Sequence, residues 1–142
     1  MSDENTLSLA KNVPLRRLSV AQFVALAATY AIYFASMGLV EEKTHSSAQM
    51  GLMIFSSTLP GFLFGMLAGV VVDRYDRRYV LVVSNLLRLL VAVGFAAGTR
   101  WLDSVPLLLA SIYASNFLLS IIAQFTTSAE GSLIPHVVPQ ER

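Results

Sequence analysis

The sequence predicts an all-α, polytopic membrane helical bundle with four transmembrane helices. Three observations carry that expectation. The first is composition: 55% of the 142 residues are hydrophobic and 13% are charged, against about 25% charged in an ordinary soluble domain. The second is the arrangement of the charge. Residues 18–40, 46–72 and 104–129 hold no charged side chain, and residues 79–99 hold only Arg88. Each window is long enough to cross roughly 30 Å of hydrocarbon at about 1.5 Å per residue. A soluble helix would need a charged face somewhere in such a window. The third is the placement of the basic residues, which cluster in alternate connections and so give the chain a direction across the membrane.

The elements follow in order. Residues 1–17 form a polar tail, and Pro14 suits the opening of a helix. The first span covers about 18–40; its length and the lack of a small-residue cleavage site mark it as retained, not as a signal peptide. Glu41 to Ser47 is expected to be a short loop, with Ser46 or Ser47 as cap of the next helix. The second span covers about 48–72. Its Gly61, Gly65 and Gly69 recur every four residues, which places them on one face where another backbone can come close. Pro60 should kink or loosen its middle, because proline lacks the amide hydrogen and crowds the preceding turn. A turn of about six residues, Asp73 to Arg78, joins it to the third span at about 79–98, so the two spans are expected to be antiparallel neighbours. Pro106 opens a fourth span at about 105–127. Residues 128–142 contain Pro135 and Pro139 and read as a cytoplasmic segment outside continuous helix.

Lys11, Arg16 and Arg17 precede the first span, and Arg74, Arg77 and Arg78 separate the second from the third. The other two connections hold one basic residue each, Lys43 and Arg100. The bias places the N-terminus and the Asp73 turn in the cytoplasm, and four spans return the C-terminus there. A plasma (inner) membrane location is expected. Tyr75, Tyr79 and Trp101 fall near span ends, where amphipathic rings settle. Membrane lipid is the first partner implied.

Several chemistries find no support. The chain has no cysteine, and its two histidines, His45 and His136, fall on opposite sides of the expected membrane, so they cannot share a metal. No glycine-rich loop followed by Lys-Ser/Thr is present to cradle phosphate, and no serine has a histidine and carboxylate arranged around it. No cofactor and no catalytic residue is expected, and the protein does not read as an enzyme. A net charge of only +1 points to no nucleic-acid partner.

What remains is a set of polar residues inside the spans. Arg88 lies ten residues into the third span, about 15 Å along the helix. Facing lipid there would cost at least ~3 kcal/mol, so it should face a polar cavity or a partner in the bundle. Two roles stay open: lining a pathway, or holding the bundle together by hydrogen bonds. Asn85, three residues earlier, shares the neighbouring face. Asn116, Ser120, Gln124 and Thr127 make a polar stripe on the fourth span, and Gln22, Thr29, Tyr33 and Ser36 recur near one face of the first. A central cavity needs one such stripe per helix; interhelical hydrogen bonding needs the same.

The charged turn carries a resemblance. Gly69-x-x-x-Asp73-Arg74-x-x-Arg77-Arg78 resembles the signature of the major facilitator superfamily between its second and third helices. Asp76 stands where that pattern has a second glycine, and Asp73-Arg74-Tyr75-Asp76-Arg77-Arg78 is similar to the drug/siderophore exporter branch that includes enterobactin and macrolide exporters. The segment Ala129-x-x-x-Leu133-Ile134-Pro135-x-Val137-Val138-Pro139 resembles the stretch after that branch's fourth helix. The resemblance implies a twelve-helix secondary active transporter, an ion-coupled exporter of small amphipathic molecules, of which this chain would be the first four helices. It implies that Gly69, Asp73, Arg74, Arg77 and Arg78 form a gating loop that grips the other half of the carrier, with the arginines also anchoring to anionic lipid. The remaining helices and a small-molecule substrate would then be partners. A truncated product or fragment is expected, unable to complete a transport cycle alone. The competing reading is a small four-span structural or accessory membrane protein without transport activity.

Overall fold

A computed structural model describes residues 13–131, with residues 13–19, 77, 130 and 131 described by backbone alone. The expectations for Lys11, Pro135, His136 and Pro139, and for the side chains of Arg16, Arg17 and Arg77, lie outside the described residues.

Four helices are present: α1 (Val13–Thr44), α2 (Ser47–Val72), α3 (Arg77–Trp101) and α4 (Val105–Gly131). Each contains a stretch long and apolar enough to cross a membrane. The helices run past the apolar windows, and the connections are correspondingly shorter. α1 continues through Glu41, Glu42 and Lys43, where Thr44 donates its hydroxyl to the Val40 carbonyl. It ends at His45, whose φ of 44° is the left-handed stop that closes many helices. The expected seven-residue loop is therefore His45 and Ser46 alone. Ser46 takes the N-cap position with extended backbone, but its side chain makes no capping bond. α3 similarly reaches Trp101 and closes with the Leu102 amide donating to the Gly98 carbonyl. α4 begins one residue before Pro106, where a missing amide hydrogen costs nothing.

α2 is continuous through Pro60, which is buried. The turn before it holds three hydroxyls that bond back to the helix: Ser56 to the Met53 carbonyl, and Ser57 and Thr58 to the Ile54 carbonyl. None of the three donates to the Ser56 carbonyl, the one that Pro60 leaves without an amide donor.

The packing corrects one expectation. α2 and α3, although joined by a short turn, are not a packed pair; α4 lies against both and makes the two most extensive helix contacts in the bundle. A short turn ties only the helix ends together, while the side chains along the shafts decide which neighbours interlock. α1 touches α2, α3 and α4 far more lightly. An apolar cluster of Val40, Met53, Phe95, Leu108, Leu109 and Ile112 fills one end of the bundle, and a smaller one of Val72, Leu81 and Ala129 fills the other. Buried polar residues, Arg88, Asn116 and Thr126 among them, lie elsewhere in the interior. The outer surface is strongly apolar, with Phe62 90% and Met66 86% exposed. Such a surface is stable against lipid or further helices and not against water.

Candidate functional site

The seam between lightly held α1 and the α2–α4–α3 unit contains the candidate pathway. Two cavities open there. One, of about 390 Å³, lies between α1 and α3; its floor includes Ala21, Ala25 and Ala28 on one side and Asn85, Arg88 and Ala92 on the other. The small alanine side chains keep the two helices from filling the gap. The second, of about 350 Å³, is lined by Tyr33, Ser57, Arg88, Asn116 and Ser120, drawing on all four helices. Thr29, Arg88 and Leu119 border both.

Arg88 is therefore at the junction of the two cavities and is only 6% exposed. Its Nη2 donates to the Thr126 hydroxyl at 3.0 Å. That hydroxyl in turn donates to the Ile122 carbonyl one turn back on α4, at 3.0 Å. Thr126 thus uses a lone pair toward the guanidinium and its proton toward its own helix. Sequence reading selected Thr127 for the α4 stripe and missed Thr126; Thr127 is exposed, and Thr126 is buried. The available signal was the need of a mid-membrane arginine for an acceptor, but α4 offers several hydroxyls and spacing alone does not choose among them. Asn85 sits beside Arg88 on the first cavity, and its Oδ1 is buried with no hydrogen-bond partner among the described residues.

The α4 stripe does not face one open channel. Asn116 Nδ2 donates to Ser36 Oγ on α1 at 2.8 Å and to its own Ile112 carbonyl at 2.9 Å. Ser120 donates its hydroxyl to the Ser57 carbonyl on α2. Gln124 lies against α2, in the notch left by Gly61 and Gly65. A Cβ added at Gly61 would come 3.1 Å from Gln124 Nε2, and one at Gly65 3.7 Å from Gln124 Oε1. A Cβ at Gly69 would meet nothing within 4 Å among the described residues. Ser57, Ser120 and Gln124 also border a shallow opening with Thr58, Gly61 and Phe62. Of the sequence-derived pathway residues, Tyr33, Arg88 and Asn116 share the second cavity, Asn85 joins Arg88 on the first, and Gln124 stands on the adjoining opening.

The charged turn is a separate surface. Asp73, Arg74, Tyr75, Asp76 and Arg78 are all exposed. Asp73 ends α2, its amide donating to the Gly69 carbonyl at 3.1 Å. Asp76 is the N-cap of α3, and its carboxylate accepts from the Arg78 amide at 2.8 Å. An aspartate is well suited to that position, since its side chain satisfies an otherwise orphan helix donor. Among the described side chains Asp73 makes no ion pair; those present are Lys43 with Glu42 and, at 4.0 Å, His45 with Glu41. Also among the described residues, no group of three or more histidines and carboxylates could hold a metal ion.

Comparison with known proteins agrees with this architecture. Residues 18–142 match the family model for the Major Facilitator Superfamily. The chain is 39% identical over 88 residues to an uncharacterized MFS-type transporter of Mycobacterium tuberculosis, covering 59% of this chain and 18% of that protein. It is 27% identical over 121 residues to macrolide efflux protein A of Streptococcus pyogenes, covering 85% of this chain and 29% of that protein. The match thus spans less than a third of the length of these relatives. No solved structure matches significantly. Four membrane-length helices and a family match over most of the sequence make this a multi-pass integral membrane protein, and the chain belongs to the Major Facilitator Superfamily.

Proposed function

We propose that the chain forms the first four helices of a secondary active transporter, an ion-coupled exporter of small amphipathic molecules in the plasma (inner) membrane. Both termini and the Asp73 turn then lie in the cytoplasm. The observation that carries this reading is the buried Arg88 at the junction of two cavities along the α1 seam. A membrane arginine placed on water-sized space, with Asn85, Tyr33 and Asn116 around it, marks a route for polar groups through an apolar bundle. The similarity to macrolide efflux protein A favours export of amphipathic compounds.

In this reading the seam opens and closes as α1 moves against the more tightly packed α2–α4–α3 unit. Asp73, exposed and outside any ion pair among the described side chains, is the group that contacts the other half of the carrier. Gly69, Arg74, Arg77 and Arg78 complete that gating loop. Further helices of the same carrier supply the remaining cavity walls and the acidic group needed for coupling, which makes the four-helix chain insufficient for transport by itself.

The test uses the complete carrier containing this chain, in everted membrane vesicles, with a fluorescent amphipathic compound. Export should collapse when the ion gradient is dissipated, and Arg88→Ala should lower it at equal protein level. Export that persists without a gradient would refute the coupling, and unchanged export in Arg88→Ala would leave this residue a purely structural role.

A further inference from the structure

Thr126 stands apart from the other polar residues of α4. It is only 3% exposed, and it is not among the residues that line either seam cavity. Asn116 and Ser120 border the second cavity and bond across to α1 and α2. Thr126 instead bonds to Arg88 and to its own helix.

Those two bonds have a direction. The hydroxyl proton goes to the Ile122 carbonyl, so toward Arg88 the oxygen accepts. Donating on one side also strengthens an oxygen as acceptor on the other. Arginine is a long, flexible side chain that ends in a planar fork, and its direction matters at this place. Thr29, Arg88 and Leu119 border both cavities, and Arg88 is the charged member of the three. A guanidinium swung into either cavity would occupy it; one held at Nη2 stays at the junction. The anchor also decides to which side of the seam the charge belongs. α3 and α4 are extensively packed on each other, whereas α1 touches each lightly. Arg88 therefore keeps its place on the α2–α4–α3 side when α1 shifts.

We propose that Thr126 is a positioning residue of the pathway: it touches no transported molecule and acts by fixing the Arg88 guanidinium at the junction of the two cavities. This inference rests on the transport reading of Arg88 and adds the residue through which that arginine is oriented.

Export of a fluorescent amphipathic compound by the complete carrier, in everted membrane vesicles, would be measured over a range of concentrations. Thr126→Val should raise the half-saturating concentration roughly fivefold and leave the maximal rate per folded carrier within about twofold. Thr126→Ser, which keeps the hydroxyl, should restore the unaltered value. Thr126→Ala removes the same hydroxyl without branching and carries the same expectation if the valine variant fails to fold. In an Arg88→Ala background Thr126→Val should change nothing further, because a residue that acts through another has no effect once the other is gone. An unchanged half-saturating concentration in Thr126→Val, a fall in maximal rate alone, or a full additional effect in the Arg88→Ala background would overturn the proposal. Normal export by Arg88→Ala would overturn the transport reading and this inference with it. Impaired export by Arg88→Ala beside normal export by Thr126→Val would overturn this inference alone.

A second readout requires no transport. Phenylglyoxal modifies arginine side chains, and peptide mass spectrometry reads which ones. Arg88, buried as it is, should react slowly in the unaltered carrier and roughly fivefold faster in Thr126→Val. Gly61→Val, which disturbs α2–α4 packing at the Gln124 notch, should leave the rate at Arg88 unchanged. Equal rates in the unaltered and Thr126→Val proteins would show that this bond does not hold the guanidinium. Equal acceleration by Gly61→Val would reduce Thr126 to a packing residue.

Discussion

At the scale of single residues, Arg88 shows how a charge is kept inside an apolar bundle. Desolvating a guanidinium is costly, and a directed acceptor offsets part of that cost. Thr126 supplies one from α4, 38 positions away in sequence. Thr126→Val keeps the shape and removes the hydroxyl, so the bundle should lose about 1–2 kcal/mol, measured by reversible unfolding in mixed micelles. Thr126→Ser should recover most of it. A Thr126→Val protein as stable as the unaltered chain would show that this bond contributes nothing net. Arg88 stood out in the sequence because charge is rare in a span; Thr126 did not, because a threonine in a membrane helix ordinarily satisfies itself on its own backbone, as Thr29 does with the Ala25 carbonyl.

At the scale of elements, the same residue type does different work by position. Gly61 faces the Gln124 side chain, while space is open around Gly69. Gly61→Val should therefore cost about 1–3 kcal/mol through overpacking, whereas Gly69→Val should stay within about 0.5 kcal/mol. Equal losses at the two positions in the same unfolding assay would mean that the Gln124 notch does not set α2–α4 packing. The regular four-residue spacing places the three glycines on one face; it could not indicate how far along that face the neighbouring helix carries a large side chain. Asp76 gives the complementary case. In the sequence it marked a departure from a family pattern, and in the structure it caps α3. Asp76→Ala should destabilise the helix start by about 1 kcal/mol and speed hydrogen exchange at the Arg78 amide. Unchanged protection there would remove the capping role.

At the scale of the whole molecule, the orientation proposed from the basic residues can be read directly. The chain has no cysteine, so single cysteines report accessibility without background. Asp103→Cys should react with a membrane-impermeant maleimide in intact cells, and Tyr75→Cys only after the membrane is opened. The reverse pattern would invert the topology. The two positions lie in exposed connections at opposite ends of α3, which makes the comparison internal to one protein.

The sequence by itself determined that this is a chain of four membrane-length helices, which stretches are long and apolar enough to cross, and which turn carries the family's charge pattern. Those properties are local: hydropathy accumulates along a continuous run, and a motif needs only neighbours in sequence. Tertiary structure alone decided that α4 separates α2 from α3, that Thr126 meets Arg88, and that cavities follow the α1 seam. Each of these depends on how side chains from distant segments fit together. In lipid nearly every face is apolar, so hydrophobicity no longer distinguishes one packing partner from another; shape and a few hydrogen bonds make the choice.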